Sequence, residues 1–254
     1  MNLSFQPVMA RRLTAVLVVS SWMLAGCATG PQAHPQDPFE PYNRSMSRFN
    51  EVVDEAVLKP VATGYQQAVP ALARTGVSNF FANLGDAWSF VNNTLQLRGE
   101  AAMSSFFRFS INTMLGLGGV LDIASEMRLE RHKQDFGLTL GHWGVPSGPY
   151  VVLPLLGPST VRDTLALPVD SQGNLLSGVN DIATRNSLYA LRLVDTRANF
   201  LRAGEVLDGA ALDKYSFTRD VFLRVRSQRA GAGPSASTAA EGGSDGSLPP
   251  EPEQ

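Results

Sequence analysis

The stretch Gly137–Val161, "GLTLGHWGVPSGPYVVLPLLGPSTV", runs twenty-five residues without one Asp, Glu, Lys or Arg. On length it could cross a bilayer as a helix. It also carries five glycines and four prolines, which weaken or break a helix from within. Irregular backbone at membrane depth must be buried in protein or line a watery cavity, because bare amides and carbonyls cannot face hydrocarbon. The segment therefore needs other elements around it and is not itself a spanning helix.

The chain begins with a compartment label. Arg11 and Arg12 precede an apolar run from Leu13 to Met23, followed by Leu24-Ala25-Gly26-Cys27. A basic start, a short apolar core and small residues at a cut site describe an export signal. The small residues before Cys27 resemble the lipobox of bacterial lipoproteins, which implies a diacylglyceryl thioether, cleavage before Cys27 and acylation of the new amine. An ordinary secreted protein with a free thiol is the alternative. Cys27 is the chain's single cysteine, so no internal disulfide can form. Several acyl chains on one residue make a stable anchor, where one would be marginal. Ala28 rather than Asp follows the anchor, which by analogy with enteric sorting points to the outer membrane.

From Ala230 to Gln254 the sequence is small, polar and Pro/Gly-rich, with four acids and no base. Such a segment buries too little apolar surface to offset its ordering entropy and is expected to be a disordered tail. The expected organisation is a cleaved signal over 1–26, a lipidated tether over 27–36, one helical domain over 37–229 and the tail over 230–254. Removing Arg11 and Arg12 from twenty-one basic residues leaves nineteen against twenty-three acids. With no basic stripe, nucleic-acid binding is not expected.

Between the ends the pattern is helical. In "PYNRSMSRFNEVVDEAVL", Tyr42, Met46, Phe49, Val52, Val53, Ala56 and Val57 share one face at 3.6-residue spacing. Taken alone, this predicts an amphipathic helix laid against a core and ended by Lys59-Pro60. Further helices are predicted from Pro70 to Leu84, Asp86 to Leu97 and Gly99 towards Leu117, with a short piece at "VLDIASEM". After the Gly/Pro segment they return at "STVRDTLALPVD", from Asn180 to Arg202, and at "TRDVFLRVRSQR".

The Gly99–Leu117 helix has unusual proportions. Ala102, Met103, Phe106, Phe107, Phe109, Ile111, Met114 and Leu115 cover most of its circumference, while Ser105, Arg108 and Asn112 share a narrow strip. A surface helix shows the reverse. Two readings follow: a central core helix with one wet edge, or a helix in lipid whose polar strip faces a watery interior. No run of strand alternation stands out, so the expected fold is all-α, with irregular structure near Gly137–Pro158.

Little here points to catalysis or a metal. His34, His132 and His142 have no metal-site spacing. Ser159 lacks a nucleophile-elbow context, although a Ser-His-acid set could assemble from Ser147 or Ser159 with His142 and Asp163. The chain is not expected to be an enzyme, and no metal or other cofactor is expected beyond the covalent lipid on Cys27.

Several stretches together carry a specific resemblance. "DPFEPYNRSMSRFN" (Asp37 to Asn50), "GVSNFFANL" (Gly76 to Leu84), "RFSINTMLGLGGVLDIA" (Arg108 to Ala124), "DFGLTLGHWGVPSGPYVVLPLLGPSTVRD" (Asp135 to Asp163) and "DTRANFL" (Asp195 to Leu201) resemble the MlaA, or VacJ, lipoprotein family in order and spacing. The resemblance implies a ring-shaped helical domain embedded in the outer membrane of a Gram-negative bacterium, with a central amphipathic channel. It implies association with a trimeric porin, and removal of misplaced phospholipids from the outer leaflet to a periplasmic carrier that returns them to the inner membrane. On that basis Ser105, Arg108, Asn112 and Tyr150 are candidates for the lipid channel and headgroup contacts. Gly144, Gly148 and Pro149 are candidates for its wall or gate. For Arg108 a second role is open, pairing with an acid such as Asp122 or Asp163. Competing readings are an envelope scaffold at porins without its own channel, and a lipid hydrolase.

Overall fold

In the computed structural model, residues 34–210 and 212–231 are described. The signal peptide, Cys27 and most of the tether and tail lie outside them. The chain folds into helices α1 (Glu40–Val53), α2 (Lys59–Ala68), α3 (Ala71–Leu95), α4 (Gly99–Met114), α5 (Ile123–Glu126) and α6 (Phe136–His142). A hairpin of β1 (Tyr150–Leu153) and β2 (Gly157–Thr160) follows, then α7 (Val161–Gln172), α8 (Ile182–Ala210) and α9 (Lys214–Ala230). The all-α expectation holds, with one short hairpin added.

Several boundaries differ from the sequence reading for physical reasons. The first helix does not stop at Lys59-Pro60; a π-turn over Asp54–Leu58 joins α1 to α2, and Lys59 N–H donates to the Asp54 carbonyl. A proline removes one N–H and crowds the carbonyl four residues before it, and the wider π-turn lets the helix pass that point. The two helices expected on either side of Gly85 are one, α3. A helical glycine costs about 1 kcal/mol, and the long packing of α3 along α4 outweighs it.

The Gly/Pro segment is more regular than expected. Its first residues form α6, capped by the Asp135 carboxylate on Leu138 N–H. The rest builds the antiparallel hairpin, with Tyr150 opposite Thr160 and Leu153 opposite Gly157. Side-chain amides of α1 satisfy the outer edge of β1. Asn43 accepts from Val152 N–H at 2.8 Å and donates to the Tyr150 carbonyl at 3.0 Å. One stretch on, Asn50 accepts from Leu155 N–H at 2.7 Å and donates to the Leu153 carbonyl at 2.9 Å. The Gln36 carbonyl takes Tyr150 N–H at 2.7 Å. A strand edge that would otherwise leave bare polar groups is thereby covered by protein.

Packing contacts pass from α1 to β1, across the hairpin to α9, on to α6, α3 and α8, and through α2 back to α1. Beside a small apolar cluster of Tyr150, Val152, Tyr215 and Leu223, much of the burial is polar. Of the largest fully buried side chains, only Tyr150, Leu138 and Val152 are apolar; Arg108, Asn43, Asn83, Asn92, Asn93 and Asn112 are among the others. The outside is apolar: Tyr42, Phe49, Val52 and Val57 of the first helical run are exposed, as are Met103, Phe106, Phe107 and Met114 of α4. The expectation that the apolar face of α1 lies against a core is therefore corrected. Most of that face points outward, Met46 alone among its named residues packing on the cluster of Tyr150, Val152, Tyr215 and Leu223, and the residue α1 buries fully is Asn43.

Three turns hold leucine in left-handed backbone: Leu97 (φ 57°), Leu117 (φ 54°) and Leu155 (φ 62°). For a residue with a Cβ this conformation costs about 1 kcal/mol or more. No described helix is long and apolar enough to cross a membrane.

Candidate functional site

A cavity of about 320 Å³ opens between α3, the segment before α6, β2, α7, α8 and α9. Leu84, Trp88, Leu167 and Phe222 supply apolar wall, while Lys133, Arg192 and Arg226 supply cationic wall. Trp88 is placed by α3 on one side and by Gly173 on the other, where a Cβ would come within 2.2 Å of the indole. Its Nε1–H donates to Asp170 at 2.8 Å, and Phe136 N–H donates to the same oxygen at 2.8 Å. Burial raises the Asp170 pKa despite these two donors.

Two other acids of the wall, Asp135 and Asp163, are held by arginines. Arg226 donates to Asp135 at 2.5 and 3.0 Å and to Asp163 at 2.8 Å. Arg162 also donates to Asp163, at 3.0 Å. Burial works to raise the Asp163 pKa, but Arg226 and then Arg162 outweigh it and the pKa is lowered. Lys133 keeps contact with water, yet the surrounding protein first, and Arg192 and Arg229 next, lower its pKa. The cavity thus offers an ammonium under cationic pressure beside aromatic and aliphatic surface. Its size is at the small end of the roughly 300–1,000 Å³ typical of ligand pockets.

The candidates named from sequence lie elsewhere. Ser105, Arg108 and Asn112 do share one strip of α4, and all three are buried. They face α3 and the 122–132 segment, not open space, so their assignment to channel lining is corrected. Arg108 Nη2 donates to Asp122 at 2.9 and 3.0 Å, Nη1 to the Leu129 carbonyl at 2.5 Å and Nε to Asp86 at 3.3 Å. Asn112 donates to Asp122 at 2.9 Å and accepts from Ala124 N–H at 2.9 Å. Ser105 sits 3.3 Å from the Asn93 amide. The pairing with Asp122, left open from sequence, is the one found. A buried arginine with its donors spent on carboxylates and carbonyls holds helices together and has little left for a phosphate.

Burial tends to raise the Asp122 pKa, but hydrogen bonds from Ser125 and Asn112, with the charges of Arg108 and Arg131, hold it down to about 2. Arg131 completes the cluster, 3.1 Å from Asp86 and 3.4 Å from Asp122.

Tyr150 is a core residue, 1% exposed, packed edge-on against Tyr215 and Phe222. It borders a second cavity of about 400 Å³ between α1, the hairpin and the start of α9, rather than the first. Gly144 borders a third, of about 280 Å³, by the end of α9. Gly148 has φ 67°, and a Cβ there would come within 3.3 Å of Val161 Cβ. Pro149 contributes its carbonyl to Val161 N–H at 3.0 Å. Gly148 and Pro149 therefore form the turn into the hairpin, and the hairpin brings Pro158 and Ser159 to the wall of the first cavity. Asp163, the acid of the conceivable Ser-His-acid set, is bonded to arginines. Ser159 bonds Thr164 at 3.0 Å.

Sequence reasoning missed Lys133, Arg192, Trp88 and Arg226. One signal was present: "RLERHKQD", which contains Lys133, is the dense charge cluster of the chain. Arg192 and Arg226 sit in ordinary-looking helical patterns, so only their tertiary convergence marks them.

Residues 35–229 match the family described as MlaA lipoprotein. A protein from Shigella flexneri named "Intermembrane phospholipid transport system lipoprotein MlaA" is 37% identical over 85% of this chain and 87% of its own length. The protein of the same name from Haemophilus influenzae is 34% identical over 84% of this chain and 87% of its own length. A solved structure reported under "Structural basis for maintenance of bacterial outer membrane lipid asymmetry" superposes with a TM-score of 0.68. It is 36% identical and covers 76% of this chain and 98% of the other.

Proposed function

The chain belongs to the MlaA lipoprotein family, and from that premise we propose that it serves an intermembrane phospholipid transport system as its outer-membrane lipoprotein. The domain lies as a ring in the membrane, anchored through acylated Cys27 and reached from the periplasm. Mislocalised phospholipids leave the outer leaflet through the cavity beside Trp88 and pass to a soluble periplasmic carrier for return to the inner membrane. A trimeric porin holds the ring in place.

The observation that carries this reading is the inversion of polarity. Apolar side chains of α1 and α4 point outward while asparagines and Arg108 are buried. In water such a surface would be an association hazard; in lipid it is the expected one. With no described helix able to cross a membrane, the apolar belt favours a domain set within a leaflet.

The cavity suits the cargo. Lys133 and Arg192 attract a phosphate, and Trp88, Leu84 and Phe222 accept the first methylenes behind it. Lipid moves through without a covalent step, so the protein needs no base, nucleophile or metal and acts as a passage with charge-matched walls.

Deletion of the chain in its native organism tests the proposal. Phospholipid should accumulate in the outer leaflet, and full-length protein, but not Cys27→Ala, should reverse this. Unchanged surface phospholipid in the deletion strain would sink the transport reading.

A further inference from the structure

We propose that Leu97, Leu117 and Leu155 are lipid-inserted points, the tips of three turns that press into the acyl-chain region. The inference rests on the membrane-embedded reading above and adds which residues enter lipid. Among the described residues only four other than glycine have positive φ: these three leucines and Arg128. The leucines are 79%, 74% and 64% exposed. A bulky apolar residue in left-handed backbone is a genuine outlier, and here its side chain points away from the fold it strains.

Each turn is built to hold its leucine in that state. Leu97 stands at the position after the C-cap of α3, where glycine is usual. Leu97 N–H donates to the Thr94 carbonyl and Arg98 N–H to the Asn93 carbonyl, each at 3.0 Å. Leu117 follows α4, and Gly118 N–H donates back to the Thr113 carbonyl at 3.1 Å. Leu155 is held by the Asn50 amide, which bonds both its own N–H and the Leu153 carbonyl. Glycine would satisfy the same hydrogen bonds without strain. The leucine side chains therefore serve something outside the described chain.

Acyl chains are the occupant the surroundings indicate. Leu97 and Leu117 lie beyond the two ends of α4, a helix about 24 Å long at helical rise. Between them α4 exposes Met103, Phe106, Phe107 and Met114. Beside Leu117, Leu115 is exposed, and beside Leu155, Leu156. Arg98 and Glu100 stand at the Leu97 end, and from Met103 onward the exposed groups named are long and apolar, which suits hydrocarbon better than a hydrogen-bonding protein surface.

Site-directed nitroxide labelling of the full-length lipoprotein in vesicles of phosphatidylethanolamine and phosphatidylglycerol tests this. Cys27 is the chain's one cysteine and is acylated, so each substituted cysteine carries one label. Labels at Leu97→Cys, Leu117→Cys and Leu155→Cys should collide more with dissolved oxygen than with a water-soluble nickel chelate. Arg128→Cys, left-handed but charged in the native chain, should show the reverse. Phe107→Cys, on the exposed flank of α4, reports on embedding itself. Leucine labels in water with the Phe107 label in lipid would overturn this inference alone; all labels in water would overturn the embedded reading with it. The triple Leu→Gly variant supplies a second measure. It should melt in detergent no lower than the native chain and bind the same vesicles several-fold more weakly. A lower melting temperature would mean that the leucines serve the fold, and the inference would fail.

Discussion

Arg108 and Asp122 meet through one guanidinium nitrogen, with Nη2 at 2.9 and 3.0 Å from the two carboxylate oxygens. Asp86, 3% exposed at its side chain, lies on the other side of the same guanidinium. The pair fastens α4 to the α5 region, and the buried Arg108 strip that resembled a channel lining is a structural tie.

Replacing Arg108 with Met leaves Asp86 buried, facing only Arg131. Removing one partner of a buried pair typically costs about 3–5 kcal/mol. Thermal unfolding in detergent should show a large drop in midpoint, with any loss of transport following from it. A variant of native stability that fails only in lipid transfer would restore Arg108 to the headgroup role.

Acid should weaken the same cluster. The folded-state pKa of Asp122 is held at about 2, below the ordinary value of about 3.9. Stability from this group is therefore fully present above about pH 4 and is lost as the pH falls towards 2. Because Asp86 is shifted the opposite way by burial, the measurement is a difference. Native protein should lose its melting-temperature advantage over Asp122→Asn as acid is added. A constant gap between the two from pH 6 to pH 2.5 would contradict the assignment.

Gly173 is matched to Trp88. A Cβ at 173 would come within 2.2–2.4 Å of indole carbons, so Gly173→Ala must push the ring into the cavity or off Asp170. Overpacking of this kind costs about 1–3 kcal/mol. Expected outcomes are a shifted tryptophan emission spectrum and reduced lipid transfer. Gly64→Ala, in α2 and away from this cavity, where nothing lies within 4 Å of the added carbon, should leave both unchanged.

Lys133→Gln and Arg192→Gln test the cavity directly. Each removes a cation from the wall without breaking an ion pair or hydrogen bond described for it. Melting temperature should stay near native, while lipid transfer to an acceptor falls. A lost hydrogen bond to a charged group, at about 1.5–3 kcal/mol, predicts roughly tenfold or more. Full transfer by the double variant would show that the cations do not meet the phosphate.

Much of the fold was readable because helical periodicity is a local property. The apolar positions of α1 and α4 and the start of α4 at Gly99 follow from 3.6-residue spacing, whereas α9 starts four residues before the expected stretch, at Lys214, where Asp213 caps it. The polar strip Ser105, Arg108, Asn112 was also correctly grouped on one face. What that face meets was not readable, since its partners Asp86, Asp122 and Leu129 come from other elements. The cavity beside Trp88 was less legible still: its wall draws Trp88, Lys133, Arg192 and Arg226 from four separate stretches.

The sequence by itself determined a helical chain with too much apolar surface on α4, and a Gly/Pro segment that could not span as a helix. Only tertiary structure decided which way the faces point. Periodicity divides a helix into two sides but is silent on which side meets solvent, protein or lipid. Here buried carboxylates and amides compensate one another inside, and the apolar sides turn out. The uncharged segment is resolved by the same logic. Asn43 and Asn50 of α1, more than 100 residues earlier in the chain, satisfy the backbone groups that its own prolines and glycines left without partners.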